Sequence, residues 1–149
     1  MKRILISLFI LLPLMAAAQL APAPVQIPDN TVNLMEFGAV ADGSALNTRA
    51  FEKAISALNK KGGGHLVVPE GLYLTGPISR KDCIDLHLER GAVILFSPDK
   101  TLYLKDGSVR PGISASKRHD VSISGEGIID GNGAFWRPVK RGKVSDVVW

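Results

Sequence analysis

The 149-residue chain holds a single cysteine, Cys83, so no internal disulfide can form and the fold must be stable through packing alone. Long apolar runs are also scarce. The run from Ile4 to Met15 covers 12 positions, short of the about 20 a membrane-spanning helix needs, and Pro13 would break such a helix. Neither charge sign dominates: 18 Lys and Arg face 14 Asp and Glu, a formal charge of +4. Aromatic residues make up only 6% of the chain and are not interleaved with basic ones at regular intervals. The stacking platform and basic stripe of a nucleic-acid-binding protein are therefore not present, and the scattered Lys and Arg read as a solvated face, with Lys140, Arg141 and Lys143 the one local group. No Asn-Gly or Asp-Gly pair joins two β-type runs at hairpin spacing, which argues against an antiparallel meander.

The N-terminus has the three parts of a secretory signal. Lys2 and Arg3 form a positive region, Ile4 to Met15 an apolar one, and Ala16-Ala17-Ala18 a small-residue cleavage site before Gln19. We expect 1–18 to be removed, 19–30 to be a proline-rich tether, and 31–149 to belong to a single domain. Export of a soluble protein, to the periplasm or the outside, follows from that reading. Removal of Lys2 and Arg3 leaves 16 basic residues against 14 acidic ones, which weakens any case for an anionic macromolecular partner. Cys83 stands at the start of an alternating run, where a small buried hydrophobe is expected.

What the chain does have is a repeat. Leu66, Val68, Gly71 and Tyr73 recur as Leu86, Leu88, Gly91 and Val93, twenty positions on, with short β-type runs on either side of each glycine. Such self-similarity marks solenoid coils that bury an apolar face only by stacking on a neighbour. Ser97 to Gly112 interrupts the pattern as a loop with turn chemistry at Asp106-Gly107 and Pro111-Gly112. The pattern then returns, with Ile123 answering Leu86 at an offset of 37 and Gly127 answering Gly91 at 36. Ahead of the coils, Thr31 to Phe37 reads as a short strand. Ala50, Phe51, Ala54, Ile55 and Leu58 fall on one face of a helix capped by Asn47 or Thr48 and ended by Gly62-Gly63-Gly64. That helix would cover the open end of the first coil. No capping unit is visible near Trp149, so the domain reads as truncated.

Several of these stretches together resemble a known family. FGAVADG, NTRAF, GGGHLVVPEGLYLTGPI, LHLERGAVILFSPD and VSISGEGIIDGNGAFW, in that order from Phe37 to Trp136, resemble the opening of glycoside hydrolase family 28, the polygalacturonases. The resemblance implies an all-β fold, a right-handed parallel β-helix, of which this chain would be the N-terminal portion with one capping helix. It also implies a monomeric enzyme hydrolysing pectic polysaccharide (galacturonan) with inversion, without a cofactor. That chemistry needs an acid and a base carboxylate roughly 6.5 to 9.5 Å apart, and a Lys or Arg for the sugar's own carboxylate. The family's motifs for these groups are Asn-Thr-Asp, Asp-Asp, Gly-His-Gly and Arg-Ile-Lys, and none occurs here. Asn47-Thr48-Arg49 and Gly64-His65-Leu66 only mimic two of them. A polysaccharide lyase of similar shape, or a non-catalytic β-helix adhesin or tailspike-like module, are the alternatives, because fold alone does not fix function.

No residue is therefore assigned as catalytic, cofactor-binding or metal-binding. Asp130 precedes a glycine corner, where accepting backbone amides explains a carboxylate. Glu70, Glu89 and Glu126 recur at equivalent corners, as structural positions do. His65, His87 and His119 recur along the runs, and none has a His or Cys partner at the close sequence spacing of a zinc site. Gly125-Glu126-Gly127 and Gly62-Gly63-Gly64 lack the strand-then-helix order of a phosphate-binding turn. Phe135 and Trp136 are expected to pack into the solenoid core rather than stack on a sugar.

Overall fold

A computed structural model describes residues 23–136. The expected signal segment 1–18 and the residues Lys140, Arg141 and Lys143 lie outside the described residues. The alternating apolar pattern produces three stacked coils. The first comprises β2 (Gly64–Val68), β3 (Gly71–Thr75) and β4 (Ile78–Ser79). The second comprises β5 (Ile84–Leu88), β6 (Ala92–Phe96) and β9 (Ile113–Ser114), and the third β10 (Ser122–Gly125) and β11 (Ile128–Asp130). Corresponding strands pair in parallel across coils, giving three faces: β1 (Thr31–Asn33) with β2, β5 and β10; β3 with β6 and β11; and β4 with β9. Inward positions alternate with outward ones, as a period of two requires. Leu66, Val68, Ile84, Leu86, Leu88, Tyr73, Ile94 and Phe96 fill the interior.

The twenty-residue offset holds on one face only. Leu66 lies beside Leu86 and Val68 beside Leu88, as expected, but Tyr73 pairs with Ile94 rather than Val93, and Gly71 with Ala92 rather than Gly91. The corner between Leu88 and Val93 holds four residues, against three between Val68 and Leu72 and two between Gly125 and Ile128. A slip of one residue would turn Val93 inward and Ile94 outward, so burial of the larger apolar set decides the register. Gly91 is the extra corner residue, at φ 82°, and a Cβ there would lie 2.9 Å from Glu70 Cγ. Gly127 likewise does not answer Gly91, since Ile128 is opposite Val93 at an offset of 35.

Helix α1 (Thr48–Lys60) buries Ala50, Phe51, Ala54, Ile55 and Leu58 against β1, β2 and β4, covering the first coil. Its expected cap is different. Asn47 makes no side-chain bond to the helix; it is buried, receives a bond from the Val40 amide, and donates to the carbonyls of Val40, Ala45 and Leu74. Thr48 instead accepts from the Gly76 amide at 2.7 Å. Both side chains are used to fasten the helix entry to the first coil. The first strand is also shorter than expected, because Asn33 accepts from the Met35 amide and turns Leu34–Phe37 into a 3-10 helix ended by Gly38 at φ 82°.

The loop from Ser97 to Gly112 contains a small hairpin, against the expectation that no Asp-Gly pair joins two strands, because the flanking runs are only two residues long and carry no alternating pattern. β7 (Leu104–Lys105) and β8 (Ser108–Val109) pair antiparallel across Asp106-Gly107, whose φ angles of 50° and 75° are those of a tight two-residue turn. Short α2 (Gly133–Trp136) follows the third coil. Among the described residues no helix is long and apolar enough to cross a membrane.

Candidate functional site

The outer side of the four-stranded face carries a polar network spanning the three coils. His65, Asp85 and Ser122 stand in one row across β2, β5 and β10, with Val67, His87 and Ser124 in the next outward row. Asp85 points outward, yet its side chain is only 4% exposed. Its Oδ1 accepts from Ser122 Oγ at 2.6 Å, and its Oδ2 from Ser124 Oγ at 2.6 Å and His65 Nδ1 at 3.1 Å. The single hydroxyl proton of Ser124 is committed to Asp85, so His87 Nδ1, 2.8 Å away, must donate to Ser124 Oγ. Arg80 closes the edge by donating from Nη1 to the Ser122 carbonyl at 2.8 Å.

Burial pushes the Asp85 carboxyl upward, but the bonds from Ser122, Ser124 and His65 together hold it below the usual carboxylate range. An ionised carboxylate with both oxygens occupied is a weak base and cannot serve as an acid at neutral pH. Its role is to fix the two half-exposed imidazoles on the outer face. His65 and His87, which share a recurring look in the sequence, occupy different rows and meet only through this carboxylate.

At the corner before this face, a second group forms between the second and third coils. Cys83 Sγ lies 3.9 Å from His119 Nδ1, which donates to Asp120 Oδ2 at 2.8 Å. The sulfur, nitrogen and carboxylate oxygen all lie within 4.8 Å of one another. Asp120 Oδ1 accepts from the Gln26 amide at 2.9 Å, so the segment before the first strand already touches the coils. Asp82 pairs with Arg118 at 3.2 Å alongside. The hydrogen bond to Asp120 and the charge of Asp82 raise the His119 imidazole above its ordinary value, while the Gln26 amide and then His119 lower Asp120. Cys83 is half-buried rather than a core residue. Cys83 and Asp120 both have positive φ, 54° and 50°, at matching corner positions.

No close sequence spacing reveals this group, because its members are 36 and 37 positions apart. The signal was nonetheless present: the offset of 37 that relates Leu86 to Ile123, applied to Cys83, lands on Asp120. Applied to Asp85 it lands on Ser122, and the offset of twenty carries Asp85 back to His65.

The remaining candidates are placed as follows. Asp130 accepts from the Asn132 amide at 2.8 Å, the expected corner role. Glu126 pairs with Arg90 at 2.7 Å on the open surface. Trp136 is half-buried and packs against the core cluster, meeting Tyr103 edge to face with ring centres 4.8 Å apart, whereas Phe135, expected to pack with it, is exposed. Phe96, Arg110 and Trp136 line a cavity of about 370 Å³ at this place.

No family model matches the chain. Relatives do. A Vitis vinifera protein named "Probable polygalacturonase" is 38% identical over 125 residues, 72% of this chain and 26% of that protein. The exo-poly-alpha-D-galacturonosidase of Dickeya chrysanthemi is 35% identical over 119 residues, 68% of this chain and 19% of its own length. The crystal structure of a hyperthermoactive exopolygalacturonase from Thermotoga maritima matches 73% of this chain and 26% of its own, at 41% identity and a TM-score of 0.69. The chain thus spans about a quarter or less of these relatives. Its fold is theirs over that span, a right-handed parallel β-helix. Through the coils it shares with them, the chain belongs to the polygalacturonase family, glycoside hydrolase family 28.

Proposed function

We propose that these coils are the N-terminal part of an exported, monomeric enzyme that hydrolyses galacturonan-type pectin with inversion. The observation that carries this reading is the 41% identity to the Thermotoga maritima exopolygalacturonase at a TM-score of 0.69. The N-terminal pattern of Lys2-Arg3, an apolar run and Ala16-Ala17-Ala18 supports export and a soluble mature form without a membrane segment. The near-neutral balance of charge left after its removal supports the absence of a nucleic-acid partner.

The role of these residues in that enzyme is to start the solenoid. Asn-Thr-Asp, Asp-Asp, Gly-His-Gly and Arg-Ile-Lys do not occur in the 149 residues, and Asp85, the most buried carboxylate among the described residues, has its oxygens engaged. We therefore place the acid and base carboxylates outside this sequence. The test is to express the whole reading frame that contains it and incubate the product with polygalacturonic acid. New reducing ends without an ultraviolet-absorbing unsaturated product support hydrolysis. Unsaturated product would mean a lyase, and binding without turnover a non-catalytic module.

A further inference from the structure

We propose that Cys83, His119 and Asp120 form a binding site for a borderline-soft divalent cation of the zinc type, which clips the second coil to the third at one corner. Donor chemistry selects the ion. A thiolate with an imidazole and one carboxylate suits zinc or cobalt, whereas calcium and magnesium take all-oxygen shells.

The three donors are near enough to one another to converge on one ion. Metal bonds of roughly 2.3 Å to sulfur and 2.0 to 2.1 Å to nitrogen and oxygen put neighbouring donors about 3.3 to 3.6 Å apart. Here Sγ to Nδ1 is 3.9 Å and Nδ1 to Oδ2 is 2.8 Å, and the three donors all lie within 4.8 Å of one another, so the sulfur and the carboxylate must draw together to close on an ion. The His119 side chain is 69% exposed and that of Asp120 30%, so both have room to turn toward Cys83. The ion would take the place of the proton now shared by Nδ1 and Oδ2, the imidazole proton would move to Nε2, and the thiol proton would leave to solvent.

Arg118 is paired with Asp82 at 3.2 Å, so the carboxylate of Asp120 is left facing His119 and Cys83 as the charged oxygen donor a cation would meet. The Gln26 amide holds Asp120 Oδ1 and so leaves Oδ2 turned toward His119, an orienting bond of the kind found behind metal-ligating side chains. Three protein donors leave a fourth position for water. Since Cys83 is on the second coil and both other donors are on the third, binding stabilises their stacking by an amount that grows with the logarithm of cation concentration once this exceeds Kd.

The test is cobalt titration of the full 149-residue chain, dilute and reduced. One equivalent should produce a thiolate-to-cobalt charge-transfer band and tetrahedral visible bands, both removed by added zinc. Cys83→Ser should abolish the charge-transfer band, and it and His119→Gln should each weaken binding at least about tenfold. Zinc should raise the melting temperature of the parent chain and leave that of Cys83→Ser unmoved, which separates lost binding from lost folding. His87→Gln, outside the proposed ligands, should bind as the parent does. No saturable cobalt spectrum, or one that survives Cys83→Ser, would overturn the proposal.

Discussion

At the scale of single residues, outward Asp85 and the two tyrosines show how burial and hydrogen bonding divide the work. Asp85 is held by three donors from two neighbouring coils, so Asp85→Ala leaves Ser122, Ser124 and His65 without their acceptor and should cost about 1 to 3 kcal/mol in chemical unfolding. Tyr73 and Tyr103 are the chain's only tyrosines, and both are buried. Burial, with Glu89 beside one and Asp99 beside the other, raises both phenols above the ordinary value. A folded-state value above the unfolded one means the stabilisation is complete below about pH 10 and is lost as pH rises toward the folded value. Phenolate absorbance should therefore appear together with loss of circular dichroism, in one transition. Phenolate formation in a still-folded chain would contradict the placement of both rings.

At the scale of elements, the stack depends on inward rows that continue from coil to coil. Leu86 sits between Leu66 and Ile123 and is 1% exposed, so Leu86→Ala should destabilise by about 2 to 5 kcal/mol. Gly125 has φ 94°, and a Cβ there would collide with the Leu88 carbonyl oxygen. Gly125→Ala should therefore unstack the third coil, read as faster amide exchange in Ser122–Gly125 with Gly64–Val68 unaffected. The rows were legible in the sequence because alternation and a repeat offset survive any change of corner length. The exact pairing across corners was not, since Gly91 looks like the counterpart of Gly71 until the burial of Tyr73 and Ile94 fixes the register. Asn47 and Thr48 read as helix caps because their preference for that position is local, whereas the carbonyls of Val40 and Leu74 that claim Asn47 arrive through tertiary packing. The Cys83 corner was readable only once the offset of 37 was treated as a map of contacts rather than as a sign of repetition.

At the scale of the molecule, the coils form a scaffold whose third turn leaves apolar side chains on the surface: Ile123, Ile128 and Ile129 are exposed. The 149-residue chain by itself should self-associate through that end, eluting larger than a monomer on size exclusion. A monomer with a single cooperative melt would contradict this. The chain alone should also release no reducing ends from polygalacturonic acid above a boiled control. If the proposed function holds, these coils can stand in for the matching quarter of an exopolygalacturonase. The most direct measurement is the reducing-end rate of a chimera in which the coils replace the matching 26% of the Thermotoga maritima exopolygalacturonase. Hydrolysis of polygalacturonic acid by the chimera is the expected result, and a folded, soluble chimera without turnover would contradict the proposed function.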